Sequence, residues 1–384
     1  MAIAKKDWIA NFNLVGTPKI NDYTFKMDEK SQNSSWIYNA LNLGIDCGEK
    51  HGVVYAEMMG GYSSEKQSVI YAHGKKEDGS DDFDARIEVA WEDRENEEIL
   101  EKIGDLCFIS VGIEKTDKGK TFTKKFLSEY DAIAYVKEHI TEDMVLNVRG
   151  NLKYSDYQDK TQMRKNITSI FLSKVDDPSK YYAHFTQSVL IDSESASLKS
   201  ENIDKEKGVM FVDAVVLDYL KEKDGVEIRG QYPFRKQFEF AMDFSNQTQC
   251  KTIVEKLFKV KKGWTQITFE GDFIEGGAVT TITLDDIPED IKELIGVVYT
   301  EEEALARCSS SGSRERRMVL KKPYIKMVGD DKEKVPVVQK FEERYEEDEL
   351  FADIVKADDV PFEVDDNENT TSSDAADMDW LNNL

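Results

Sequence analysis

Cations and aromatics interleave at several places along this chain, in spacings that could do one kind of chemistry. Arg149 and Lys153 stand on one face of Met144–Tyr154, whose opposite face carries Met144, Leu146, Val148, Leu152 and Tyr154. Tyr154 and Tyr157 lie beside them, Lys160 follows in a polar turn, and Arg164 and Lys165 open the next run. Upstream, Phe122, Lys124, Lys125 and Phe126 mix in the same way. Downstream come Arg229, Tyr232, Phe234, Arg235 and Lys236, then Lys261, Lys262 and Trp264, and a basic run from Arg314 to Lys322. Guanidinium and ammonium groups can follow a line of phosphates, and aromatic rings can stack on flat bases, each stack contributing about 1–3 kcal/mol. Any one of these residues can equally be a solvated lysine or a ring plugging a barrel end. Phe126 and Trp264 read as core, and Trp36 and Tyr38 suit a groove or a core equally. The recurrence of the mixture sets the group apart from its members.

The charge balance makes that recurrence more pointed. The chain of 384 residues carries a formal net charge of −25, of which Phe341–Leu384 holds −14. A protein whose average field repels polyanions must gather its cations locally to bind one. The acidic end has too few apolar residues to offset its ordering entropy, so it reads as a disordered tail. It nevertheless keeps apolar hooks at Val360-Pro361-Phe362 and Trp380-Leu381. Enzyme readings find little material: no phosphate-loop, nucleophile-elbow, zinc-protease or dinucleotide fingerprint, and four isolated histidines. Acidic clusters such as Asp81-Asp82-Phe83-Asp84 are expected from composition alone, so neither a metal nor any other cofactor is expected. The four cysteines show no paired spacing and no neighbouring histidine, which suits a reducing cytoplasm. No apolar run reaches the roughly 18–20 residues of a membrane span, and no leader is expected.

The elements that must position these side chains are mostly strands. Ser35–Asp46, His51–Met59, Gln67–His73 and Phe83–Trp91 alternate or carry branched apolar residues, with Gly60-Gly61 and Asp78-Gly79 read as turns. Ser128–Ile140 changes to a helical period, with Ser128 as its N-cap. The alternating strand Leu146-x-Val148-x-Gly150-x-Leu152 follows it. The same order recurs: a helix over Gln247–Val260, then Ile267-x-Phe269-x-Gly271-x-Phe273. A glycine on the apolar side of a strand marks a bend or bulge in a curved sheet. Two such units, each behind a helix, predict a duplicated small barrel: a first domain over 1–176, a linker over 177–207, a second domain over 208–330 and the tail over 331–384.

The helix, the strand with central glycine, the basic return strand and the acidic tail together resemble bacterial and bacteriophage single-stranded DNA-binding proteins. The tail's Asp358-Asp359-Val360-Pro361-Phe362 is similar to the acidic tip through which that family recruits replication and repair enzymes. The resemblance implies a mainly β protein of two OB-fold-like barrels that coats and protects single-stranded DNA in replication, recombination or repair. It implies partner capture through Asp358, Asp359, Val360, Pro361 and Phe362 and through Asp379, Trp380 and Leu381. Here the Pro-Phe element lies inside the tail rather than at its tip, and the chain is about twice the length of a one-barrel member. The alternative class is an acidic scaffold or DNA mimic that blocks a host protein.

Overall fold

The protein is seen here in a computed structural model. It describes residues 4–351 except Lys6, 158–159, 224–225, 330–333 and all but a few residues of 276–315.

Five strands form the first closed unit: β1 (Ala10–Lys19), β2 (Trp36–Asp46), β3 (Val53–Ser63), β4 (Leu146–Tyr157) and β5 (Lys160–Leu172). β1 pairs β2, β2 pairs β3 and β4 pairs both β5 and β1, all antiparallel. β3 meets β5 in parallel, which closes the circuit 1-2-3-5-4-1. The second unit repeats this with β6 (Tyr182–Ile191), β7 (Val209–Lys223), β8 (Val226–Ala241), β9 (Trp264–Glu275) and β10 (Arg316–Pro323). Its β8–β10 contact is again parallel and its other neighbours antiparallel. Each unit is therefore a five-stranded OB-type Greek-key barrel.

A helix stands between the third and fourth strands of each. In the first barrel it is α1 (Glu129–His139), whose N-cap Ser128 accepts the Tyr130 amide, a contact that contributes about 1 kcal/mol. Its Ala132, Ile133 and Val136 are completely buried and close the barrel end. In the second it is α2 (Gln247–Ile253), continued through one π-helical turn to Phe258.

The barrels share one sheet through the antiparallel pairing of β1 with β6. In that register Phe12 faces Phe185, Phe12 also faces Gly150, and Phe185 faces Gly271. The row Gly150–Phe12–Phe185–Gly271 thus sets equivalent residues of the two repeats opposite each other, which is the mark of a local twofold. The glycines have a steric reason. A Cβ at Gly150 would overlap the Asn166 carbonyl and one at Gly271 the Val319 carbonyl, each also crowding the neighbouring phenylalanine ring. Bulges sit beside both, at Ile167/Ser169 and Glu270/Gly271.

Several expectations change. The span 177–207, expected as a linker, contains β6, the first strand of the second barrel. Gly60 and Gly61 are not a turn but lie inside β3, where a side chain on Gly61 would collide with the Ile37 carbonyl across the ladder. The acidic tail does not begin at 331 or 341. Lys340–Tyr345 pairs with β9, and Tyr345 and Leu350 are 1% and 3% exposed, so two apolar anchors hold this charged segment to the barrel. Residues 352–384, with Asp358, Asp359, Val360, Pro361, Phe362, Asp379, Trp380 and Leu381, lie outside the described residues.

Candidate nucleic-acid interface

A cavity of about 470 Å³ lies where the barrels meet. The first barrel contributes Asn42 on β2, Tyr55 and Glu57 on β3, and Arg164 and Lys165 on β5. The second contributes Lys236 and Glu239 on β8, Phe273 and Glu275 on β9, and Arg316 and Arg317 on β10. Strand parity explains Tyr55 and Glu57. Val54, Ala56 and Met58 fill the barrel, so their neighbours point outward.

The lining carries five cations (Arg164, Lys165, Lys236, Arg316, Arg317) against three carboxylates (Glu57, Glu239, Glu275). Lys165 and Glu275 pair with each other, both side chains 8% exposed, and Lys165 also lies over the Phe273 ring at 4.7 Å. Arg317 Nε donates to Glu239 at 2.7 Å, and Arg164 lies 3.9 Å from Glu57. Burial pushes the Glu57 carboxyl up, against the pull of Arg164 and Lys165. Lys236 is different. It is largely buried, meets no carboxylate among the described residues, and has only the Phe238 ring at 5.7 Å beneath its ammonium. Burial, and then Lys165, hold its pKa below the ordinary lysine value.

A second, wider groove of about 900 Å³ crosses the seam strands, with Arg149, His184, Lys321 and Lys322 on its walls. Its floor holds Asp272, whose side chain is 2% exposed and which accepts from Lys50 at 2.7 Å, from His184 Nδ1 at 2.8 Å and from Lys321. Burial pushes this carboxyl up, but the three hydrogen bonds outweigh it and hold the group well below the usual carboxylate range.

The expected residues divide among these places. Arg164, Lys165 and Lys236, more than 70 positions apart in sequence at their extremes, come together in the cavity. Arg149 stands exposed in the seam groove, its Nε donating to Asn147 at 2.7 Å. Lys153 is committed to Asp218 of the second barrel at 3.3 Å. Tyr154, expected at the interface, is core. It is 4% exposed, its amide donates to Asp218, and its hydroxyl donates to Gln187 at 2.9 Å. The apolar parity of β4 puts it there. Phe234 is likewise corrected to core at 1% exposed, packed edge-on against Tyr232.

Tyr232 is half-buried under Lys223, whose ammonium donates to its hydroxyl at 2.5 Å. Phe122 is 49% exposed on the edge strand Thr121–Phe126, two strands from β5 in the sheet, and does not line the cavity. Lys124 lies over Phe126 and Tyr135, and Lys125 pairs with Asp105 at 3.1 Å. Arg229 pairs with Glu227 at a positive φ of 39°. Lys160 and Lys261 are exposed, and Tyr157 ends β4 with its side chain outside the described residues. Arg235 and Lys262 approach Glu347 at 3.6 Å and Glu346 at 3.9 Å, so the acidic segment after β10 lies beside two cations of the second barrel, both still exposed. Trp264 and Phe126 are core, as their neighbours suggested, and Trp36 stacks on Tyr38 at 4.9 Å. Tyr55, Lys50, His184, Asp272, Arg316 and Arg317 were not singled out as site residues. Alternation in β3 could have found Tyr55, and the basic run could have found the two arginines. Only the fold brings Lys50 to Asp272.

Fold and site together describe a tandem OB-barrel protein with cation-lined concavities where its barrels join. The chain belongs to the YorF family, whose family model matches residues 65–275. No curated protein matches it significantly. Among solved structures it is similar to a deletion mutant of the single-stranded DNA-binding protein from Thermus aquaticus. The identity is 9% and the TM-score 0.31, over 70% of this chain and 87% of that one. No helix among the described residues is long and apolar enough to cross a membrane.

Proposed function

We propose that this protein binds single-stranded DNA without sequence preference, as a non-catalytic coat in replication or recombination. The observation that carries the reading is Lys236: a largely buried ammonium with no anionic partner among the described residues, facing a cavity with two cations in excess. A buried unpaired charge is costly, and a phosphate entering the cavity would relieve that cost. The location agrees. OB-folds hold oligonucleotides on the face of their second and third strands and the loop between the fourth and fifth. Here β2 and β3 form one wall of the cavity and the β4–β5 arm supplies Arg164 and Lys165. Tyr55 offers a ring on that wall for a base to stack on. Partner capture through residues 352–384 belongs to the same proposal.

The test is an anisotropy titration of labelled oligo-dT and of a duplex of equal length at several salt concentrations. The reading expects oligo-dT to bind much more tightly, with affinity falling as salt rises. Equal affinity for both forms, or none for either, contradicts it and favours an acidic scaffold.

A further inference from the structure

The groove over the seam of β1 and β6 is lined by equivalent residues of the two repeats. The local twofold matches Asn11 with His184 and Asn151 with Asp272, which pair with each other in the same register beside Gly150 and Gly271. It also matches Thr168 with Lys321, the extra residue of the bulge next to each glycine, and Ser169 with Lys322 just beyond. The first barrel therefore holds Asn11, Asn151, Thr168 and Ser169 where the second holds His184, Asp272, Lys321 and Lys322, and all eight line the groove.

The neutral half shows what the backbone needs. Amides and hydroxyls are enough to build a glycine–bulge corner, so the charges on the other half are not required by the fold. There Asp272 Oδ2 accepts from both Lys50 and Lys321, and Oδ1 accepts from His184 Nδ1 at 2.8 Å. Lys50 arrives from the turn between β2 and β3, and the bulge aims Lys321 at the same carboxylate. One buried acid gathers two ammoniums and an imidazole.

The groove as a whole keeps a surplus of positive charge. Lys322 is exposed and shares its ammonium with Glu270 at 2.8 Å. On the far wall Arg149 is exposed and meets no carboxylate among the described residues. Arg149, Lys50, Lys321 and Lys322 thus face only Asp272 and Glu270, even with His184 neutral. In a chain of net charge −25 such a local surplus is what a polyanion would find. From Arg149 on β4 to Lys322 on β10 the groove crosses four strand-to-strand steps, about 19 Å, room for several phosphates in a row. Its rings, Phe12 and Phe185, are buried, so it offers bases nothing to stack on. It shares no lining residue with the cavity of Lys236.

We propose that the seam groove is a second binding track, which holds the phosphodiester backbone of a further length of strand beyond the part seated in the cavity. This rests on the reading that the protein binds single-stranded DNA. Arg149 and Lys322 contact phosphates from opposite walls, the guanidinium through its two-pronged fork. Lys321 adds the donors that Asp272 leaves free, and Asp272 is a positioning residue that holds the cluster in the groove. The track grips backbone only, whereas the cavity also offers the ring of Tyr55.

The test is a length series of labelled oligo-dT, titrated at several salt concentrations against the full chain, Arg149→Ala/Lys322→Ala, and that double variant with Thr168→Lys added. Both replaced side chains are exposed, so the double variant should fold. Short members of the series, which fill only the cavity, should bind all three proteins alike. Once the strand reaches the groove, the double variant should bind about tenfold more weakly. Its slope of log K against log salt should be flatter by about 1.4, two phosphates at about 0.7 each. Thr168→Lys places an ammonium at the twofold equivalent of Lys321 and should recover about half of the lost slope. Lys236→Met, which acts in the cavity, should weaken short and long members alike. If Lys236→Met weakens binding while the double variant matches the native chain at every length, the track is refuted and the cavity reading stands. If no oligo-dT binds at all, both are refuted. A loss that is equal at all lengths, or that leaves the salt slope unchanged, also overturns the track, because it reports damage elsewhere and not lost phosphate contacts.

Discussion

Replacing Lys236 by Met should make the protein more stable and a worse ligand for single-stranded DNA. Methionine keeps most of the apolar stem that lies over Phe238 and removes an ammonium that meets no carboxylate among the described residues. Loss of an uncompensated buried charge should raise stability by roughly 1 kcal/mol, which for a chain of this size is about 2 °C in Tm. The pH dependence follows from the direction of the shift. Because burial lowers the Lys236 pKa in the folded protein, the penalty is full while the amine is charged in both states. It fades as pH rises towards the unfolded value of about 10.4, so the gain from the substitution should shrink with it. Binding moves the other way. A charge-assisted hydrogen bond contributes about 1.5–3 kcal/mol, so Kd for oligo-dT should rise roughly 10- to 100-fold. The slope of log K against log salt should flatten by about 0.7, one phosphate's share for a single strand. Thermal melts and anisotropy titrations on the same preparations read both effects. A lower Tm with unchanged Kd would refute the reasoning, because it would mean that Lys236 is satisfied within the fold and faces no ligand.

Four further outcomes follow. Gly150→Ala and Gly271→Ala should each cost about 3 kcal/mol or more in denaturant unfolding, since the new methyl has nowhere to go but the neighbouring backbone. Asp272→Asn should cost roughly 1–3 kcal/mol near neutral pH, because the buried carboxylate that accepts from Lys50, His184 and Lys321 is replaced by a neutral amide, while the two lysines are exposed enough to be solvated. That difference should fade in acid below about pH 4, because a carboxyl held low contributes stability only above its unfolded pKa and loses it as pH falls. Deleting residues 352–384 should leave the melt unchanged and tighten oligo-dT binding at low salt while removing partner capture, whereas deleting from Phe341 should lower Tm by exposing the sites of Tyr345 and Leu350. Lys153→Ala should change oligo-dT affinity less than Arg164→Ala, because Lys153 is held by Asp218 outside the cavity.

The duplication was legible in the sequence because its strongest marks are local. Gly150 and Gly271 interrupt otherwise alternating strands behind helices, and both turn out to sit where a neighbouring carbonyl crosses. The first strands of the barrels, β1 and β6, were not legible. They pair with each other and are packed on both sides over much of their length, so Leu14 and Val15, or Val189, Leu190 and Ile191, are buried in succession without alternation. The parity of β4 had already put Tyr154 on the apolar face, and the fold keeps it there. Cations were visible as composition, but their sorting into paired and unpaired depends on contacts such as Lys153 with Asp218 and Lys165 with Glu275, which span 65 and 110 positions.

Cross-linking with a bromodeoxyuridine-substituted oligo-dT, followed by peptide mapping, tests the central claim most directly. Irradiation joins the base to whichever ring it stacks on. The account predicts a cross-link at Tyr55 on β3, diminished in Lys236→Met and lost when unlabelled oligo-dT competes. Cross-links confined to the outlying exposed rings Phe83 and Phe122, with Tyr55 unmodified, would contradict it and move the binding surface away from the junction of the barrels.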